Sequence, residues 1–179
     1  MQDMPPSAGF SPVAPSWTPP RLLAALRSEG IAFEILEHPP IATVEAARPY
    51  WDRLTGAAAK NLFLRDAARR FWLVFAPAAM RVDLKALPGA IGSRRLSFAP
   101  EGELETLLGV MGGAVTPLAA VNDTAGRVRV VVDSRLAAAA RVLMHPLVNT
   151  ATVTLSGADL VRFLSGHGHP PAILELPAA

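Results

Sequence analysis

A single mixed α+β domain is what the 179-residue sequence predicts, and three observations carry the expectation. Strand-like runs outnumber helical ones, they are interleaved with short helices and hairpin turns, and no repeat or internal boundary divides the chain. The implied sheet is largely antiparallel or mixed. Apolar residues make up 51% of the chain, enough for a sizeable core.

The elements follow in order. Thr18 caps a first helix, Pro19 takes its first position, Leu22, Leu23 and Leu26 form one face, and Gly30 closes it. "IAFEILEH" alternates apolar and polar residues and reads as a strand. Thr43 caps a short helix in "PPIATVEAARPYWDRL", which Pro49 should end or bend. "KNLFLRD" and "FWLVFAP", joined by "AARR", form a hairpin. "VDLKALPGAIG" is a short helix capped by Asp83 and broken by Pro88 and Gly89. "RRLSFAP" is a short strand and "PEGELETLLG" a helix ending at Gly109. "GGAVTPLAAVND" reads as a glycine-rich loop running into a strand, which "GRVRVVVD" pairs with across "NDTAG". "SRLAAAARVL" starts helical and "NTATVTLS" is a strand. Ser156, with Asp159 three residues on, opens a final helix in a near capping box.

Residues 1–17 are rich in Pro, Ser and Ala and read as a flexible leader, leaving residues 18–179 as the domain. They lack the charged start and apolar block of a signal peptide. No uncharged apolar run approaches a membrane span, so no membrane partner is expected. The chain has no cysteine, which excludes disulfides and thiolate chemistry and fits a cytoplasmic location. A net charge of +2 does not by itself argue for nucleic acid. No phosphate-binding loop, dinucleotide fingerprint, zincin motif or nucleophile elbow occurs.

Of 17 basic residues only Lys60 and Lys85 are lysines. Lys60 heads an apolar strand. Its ammonium is a compact point charge where arginine would be a broad fork, so it suits a narrow pocket. An ordinary strand-end lysine pointing to water is the plainer alternative. Gly112 and Gly113, with Pro117 fixing the exit, form a loop whose backbone N–H groups could approach a ligand oxygen, or a plain tight turn. His145 could orient a substrate or shuttle a proton, or sit bonded to backbone. His38 reads as a turn residue, and a metal site at His167 and His169 is not expected. Arg94 and Arg95, with Arg65, Arg69 and Arg70 around the hairpin, could track phosphates or simply be solvated. Tyr50, Trp51, Phe63 and Trp72 read as core.

Taken in order, "IAFEILEHPPIATVEAA", "AKNLFLRD", "RRFWLVFAP", "DLKAL", "LSFAPEGELETLLGVMGGAVTPLAAVND" and "MHPLVNTATVTLSGADLVRFL" resemble the YbaK family, freestanding relatives of the editing (insertion) domain of bacterial prolyl-tRNA synthetase. The likeness spans about residues 20 to 166. "TVEAA…PYW" and "KNLFL" look most like its ProXp-ala, or PrdX, branch. The resemblance implies a mixed sheet curling toward a barrel, surrounded by short helices. It implies an aminoacyl-tRNA deacylase that clears alanine from tRNA(Pro) in trans, with the cysteine-clearing branch as the alternative. A non-catalytic nucleic-acid-binding protein and an inactive interaction module of the same fold are the other readings. By resemblance, Lys60 holds the terminal adenosine, the Gly113 loop binds the ester carbonyl or ribose hydroxyl, and water is the nucleophile. Catalytic residues are then Lys60, Gly113 and His145. Ile35, Val44, Tyr50, Asn61, Gly112, Pro117 and Met144 bind the aminoacyl end, and Arg65, Arg94 and Arg95 bind tRNA. The partner is the acceptor end of mischarged tRNA(Pro), a monomer is favoured, and transient docking on prolyl-tRNA synthetase stays open. No cofactor or metal is implied.

Overall fold

The computed structural model describes residues 17–41 and 43–179; all but the last residue of the expected leader lies outside them. That last residue, Trp17, belongs to the fold: its ring meets Phe163 edge-on at 6.3 Å and its backbone N–H donates to Asn122 Oδ1 at 3.1 Å.

Eight strands are described, in two sheets. A three-stranded antiparallel sheet has the order β1 (Glu34–Glu37), β7 (Ala151–Leu155), β6 (Val142–Met144). A five-stranded mixed sheet has the order β4 (Leu96–Phe98), β2 (Ala59–Asp66), β3 (Phe71–Pro77), β5 (Val128–Asp133), β8 (Ala172–Leu174). A parallel bridge between Ala57 and Val142 joins the approach to β2 with β6, so the two sheets meet there. The class is mixed α+β, and the curl expected of one sheet is carried by two sheets meeting at this seam.

The helices sit where their caps dictate. α1 (Pro19–Ser28) starts at Thr18 and buries Leu22 and Leu26. α2 (Val44–Trp51) starts at Thr43, whose hydroxyl accepts from the Ala46 N–H; Pro49 lies inside it and the helix ends two residues later. α4 (Glu101–Leu108) ends at Gly109 in the left-handed conformation. α5 (Ser134–Ala137) is one turn, and α6 (Gly157–Gly166) opens on Ser156, which accepts from the Asp159 N–H at 3.0 Å.

Three expectations need correction. "PLAAVN" is a buried 3-10 helix, Pro117–Asn122, not a strand, because Pro117 cannot donate to a ladder and starts a helical turn instead. β5 consequently has no hairpin partner before it and pairs in parallel with β3 and β8. α3 (Leu87–Ile91) begins around Pro88 rather than breaking there, since a first-turn proline has no N–H to lose; the Asp83 carboxylate caps the turn ahead of it. The short run "AIL" near the C-terminus adds the edge strand β8 that periodicity over three residues could not announce.

One buried carboxylate ties the hairpin to β4. Asp66 is 3% exposed and accepts from the N–H groups of Ala68, Arg70 and Arg94 and from the Arg70 guanidinium. Burial pushes its carboxyl up, but these hydrogen bonds outweigh it and hold it at about 2, against an ordinary 3.8. Because the folded value is the lower one, its stabilisation is present above pH 4 and lost as pH falls toward 2. At ~1.4 kcal/mol per unit it amounts to about 2 kcal/mol. Asp66→Asn should therefore lower the urea midpoint at pH 6, and the gap from wild type should narrow as pH falls from 4 toward 2. A gap that does not narrow over this range would assign the loss to packing instead.

Candidate active site

The seam between the sheets holds a pocket of about 160 Å³. The start of β2 brings Ala59, Lys60 and Asn61 to it. β6 and the residue after it bring Leu143, Met144 and His145, and β7 brings Thr152. Val44, Ala47 and Trp51 of α2 form one wall, with Ile41 and Thr43 ahead of them, and Gly113 and Val115 complete the rim. An engineered cavity of ~150 Å³ holds one benzene, so this one admits a group of about six heavy atoms.

Lys60 is half-buried, and its ammonium donates to the backbone carbonyl of Met80 in the turn after β3. A strand-end lysine free in water is thereby ruled out: this one is fixed at the pocket wall, and its other two N–H groups have no partner among the described residues. Asn61 donates through Nδ2 to the Val115 carbonyl at 2.9 Å, tying β2 to the glycine loop, while its Oδ1 is buried without a partner.

Gly113 sits at φ 81°, where side-chain-bearing residues are strained. Its N–H donates to no described residue, whereas the Gly112 N–H is turned to Glu101 Oε1 at 3.3 Å. Of the two glycines, Gly113 thus keeps its N–H free of any described partner at the pocket rim, and Gly112 does not.

His145 is half-buried, and its Nδ1 lies 2.9 Å from the Ala151 carbonyl. A carbonyl only accepts, so Nδ1 carries the proton and the neutral ring keeps a lone pair on Nε2. Burial lowers the His145 pKa, the Ala151 bond opposes this, and the proximity of His38 lowers it further. The ring is therefore neutral at pH 7 and can accept a proton or a hydrogen bond.

The other expected site residues divide. Val44 and Met144 line the pocket. Tyr50 stands behind it, its ring 5.1 Å from His38. Pro117 is buried as the first residue of the 3-10 helix. Ile35 is 41% exposed on β1, an outer strand, and does not line the pocket; Ile41, on the chain beyond, does. Arg65 and Arg95 line a separate groove with Arg69 at the far end of β2. Five residues of strand separate Arg65 from Lys60, roughly 17 Å at ~3.3 Å each. Arg65 is paired with Glu103 at 2.9 Å; Arg94 and Arg95 are exposed, and neither side chain has a described partner. Phe63 and Trp72 are core, while Tyr50 and Trp51 are only half-buried.

His38 is the residue that sequence reasoning passed over. It is 7% exposed and bonded to Thr152 at 2.9 Å, directly behind the pocket. Its following proline gave a turn signal, and nothing in the sequence pairs it with a threonine 114 residues away.

Residues 38–163 match the family model of the aminoacyl-tRNA editing domain. The chain belongs to this family. The chain is 38% identical over 156 residues to the prolyl-tRNA editing protein ProX of Acetoanaerobium sticklandii, covering 87% of this chain and 95% of that one. It is 37% identical to the prolyl-tRNA synthetase associated domain-containing protein 1 of Danio rerio, over 94% and 92% of the two chains. The multifunctional Ser/Thr-tRNA deacylase ProXp-y of Escherichia coli K12 is 30% identical over a shorter stretch, 57% of this chain and 63% of that one. The editing-domain fold is seen again in a solved structure described as a candidate trans-editing enzyme for prolyl tRNA synthetase, with a TM-score of 0.68, 20% identity and 90% and 97% coverage. The hypothetical protein APE2540 superposes with a TM-score of 0.69 at 19% identity, over 87% and 97%.

Proposed function

We propose that this chain is a trans-editing deacylase of mischarged tRNA(Pro), and that alanine is the amino acid it removes. One observation carries the reading: a 160 Å³ pocket whose polar contributors, Lys60, Asn61, Gly113 and His145, share a rim with apolar walls of Ile41, Val44, Ala47 and Met144. Its size suits a small aminoacyl group and not the nucleoside attached to it. The relative named as a prolyl-tRNA editing protein supports the substrate class.

The ester between an amino acid and a ribose hydroxyl is already activated, so positioning and charge stabilisation suffice. Water adds to the carbonyl carbon, and the free Gly113 N–H meets the developing oxyanion. The ribose oxygen then departs and takes the proton that the water gives up. Lys60, fixed by the Met80 carbonyl, supplies positive charge to the adenosine end. Neutral His145 accepts a hydrogen bond at the acyl end. The exposed Arg94 and Arg95 are the available contacts for the phosphates of the tRNA. The cytoplasm, where charged tRNA is used, is the proposed location, and among the described residues no helix is long and apolar enough to cross a membrane.

A size sieve is needed because missing methylenes distinguish amino acids by only ~1–3 kcal/mol in a synthetase pocket. Release of amino acid from Ala-, Cys- and Pro-tRNA(Pro) by the full chain tests the proposal. Alanine should be released fastest and proline spared; preference for cysteine would move the chain to the alternative specificity, and no release would refute a deacylase.

The wall residues should behave differently when trimmed. Val44, half-buried on α2, faces the pocket without belonging to the buried core. Val44→Ala should admit larger aminoacyl esters at little cost in stability. Met144 is 4% exposed and packs in the main core, so Met144→Ala should also lose ~2–5 kcal/mol. Substrate profiles and urea midpoints measured together separate the two; an unchanged profile for Val44→Ala would remove α2 from the sieve.

A further inference from the structure

Thr152 is fully buried, yet it lines the pocket. Its hydroxyl has one hydrogen, and the structure dictates where that hydrogen goes. His38 Nδ1 lies 2.9 Å from the Pro39 carbonyl, which only accepts, so Nδ1 carries a proton and, in the tautomer with a single N–H, Nε2 carries none. His38 Nε2 is then an acceptor, 2.9 Å from Thr152 Oγ1, and the threonine must donate to it. With its hydrogen committed to His38, Thr152 has only lone pairs left for any other partner. Two neighbours have the same polarity. Asn61 Oδ1 is buried without a partner because its amide nitrogen is committed to Val115. His145 Nε2 is an acceptor because Nδ1 is committed to Ala151.

We infer that Thr152, Asn61 and His145 form an acceptor set that recognises the α-amino group of the aminoacyl ester, and that His38 is the positioning residue that locks Thr152 as an acceptor. An ammonium carries three hydrogens and no lone pair, so it suits acceptors and cannot satisfy donors. The set selects esters of α-amino acids over α-hydroxy acids of the same shape. The inference rests on the pocket being the aminoacyl site proposed above.

The test compares Ala-tRNA(Pro) with lactyl-tRNA(Pro), made from it by nitrous acid deamination, which replaces the amino group by hydroxyl. Wild type should favour the alanyl ester in kcat/KM. Thr152→Val keeps the side-chain shape and removes the acceptor. It should lower alanyl kcat/KM by about 10- to 100-fold, the scale of one hydrogen bond to a charged group, and lactyl kcat/KM by less than about 3-fold. Thr152→Ser, which can keep both roles, should restore the preference. His38→Phe keeps a ring beside Tyr50 but frees the threonine hydrogen, and should lower the alanyl-to-lactyl ratio in the same direction by a smaller factor. If Thr152→Val slows both esters equally, or changes neither, the inference fails while the deacylase stands. A wild-type protein that cleaves neither ester overturns both. Thermal midpoints of each variant show that the protein compared is folded.

Discussion

Lys60→Ala should lower deacylation of Ala-tRNA(Pro) by at least ~10²-fold, the effect of removing one preorganised charged contact from an active site. The ammonium is held against the Met80 carbonyl, so it is already in place before substrate arrives and costs no reorganisation. The variant should fold. It leaves the Met80 carbonyl without its donor, a loss of about 1 kcal/mol, well short of a typical domain's stability. Lys60→Arg is the sharper comparison. The guanidinium keeps the charge but brings a planar fork to a wall built around a single nitrogen, so activity should fall nearly as far. If arginine rescues the rate, bulk positive charge is all that the position supplies. Near-wild-type turnover in Lys60→Ala would remove the residue from the chemistry.

Gly157→Ala should be strongly destabilising. A Cβ at this position would stand 2.0 Å from the Leu136 carbonyl oxygen and 2.5 Å from that of Ala137. Both neighbours are backbone, so no side chain can swing aside. Gly157 opens α6 directly after its Ser156 cap and is buried against α5. An added methyl forces the two helices apart where Leu160, Phe163 and Leu164 of α6 enter the core. Overpacking of this kind costs about 3 kcal/mol or more. Chemical denaturation of the purified variant checks it. Gly166→Ala, in the same helix with nothing near its Cβ, is the control and should be neutral or slightly stabilising. Equal stability of the two variants would mean that α6 can shift away from α5 freely.

These two positions show how unevenly the sequence discloses the molecule. The lone lysine at a strand head was legible because it departs from the arginine usage around it. The helix starts at Thr18, Thr43 and Ser156 were legible because capping is local chemistry. Gly157 was read only as part of a helix start, since the backbone it touches belongs to another element. The same reason hid His38: its partner Thr152 comes from β7, and a histidine before proline gives only a turn signal. The 3-10 helix after Thr116 was misread because "LAAV" is apolar and short, a pattern that a buried strand shares. Ile35 was placed on the pocket wall by its strand, but β1 lies at the edge of its sheet and Ile41 fills that role. The arginine cluster was correctly grouped around the hairpin, yet only the register of β2 shows that it lies a strand's length from Lys60. Gly112 and Gly113 looked equivalent in sequence. Their N–H groups are not, because Glu101 from α4 occupies one of them.

The most direct measurement is the crystal structure of the protein with alanyl-adenosine joined by an amide in place of the ester, which cannot be cleaved. The alanyl methyl should lie against Val44 and Met144, the carbonyl oxygen near the Gly113 N–H, and the adenosine on the Lys60 side. An analogue bound elsewhere, or entering this pocket by its base with the alanyl group in solvent, would contradict the assignment of the seam as an aminoacyl-ester site.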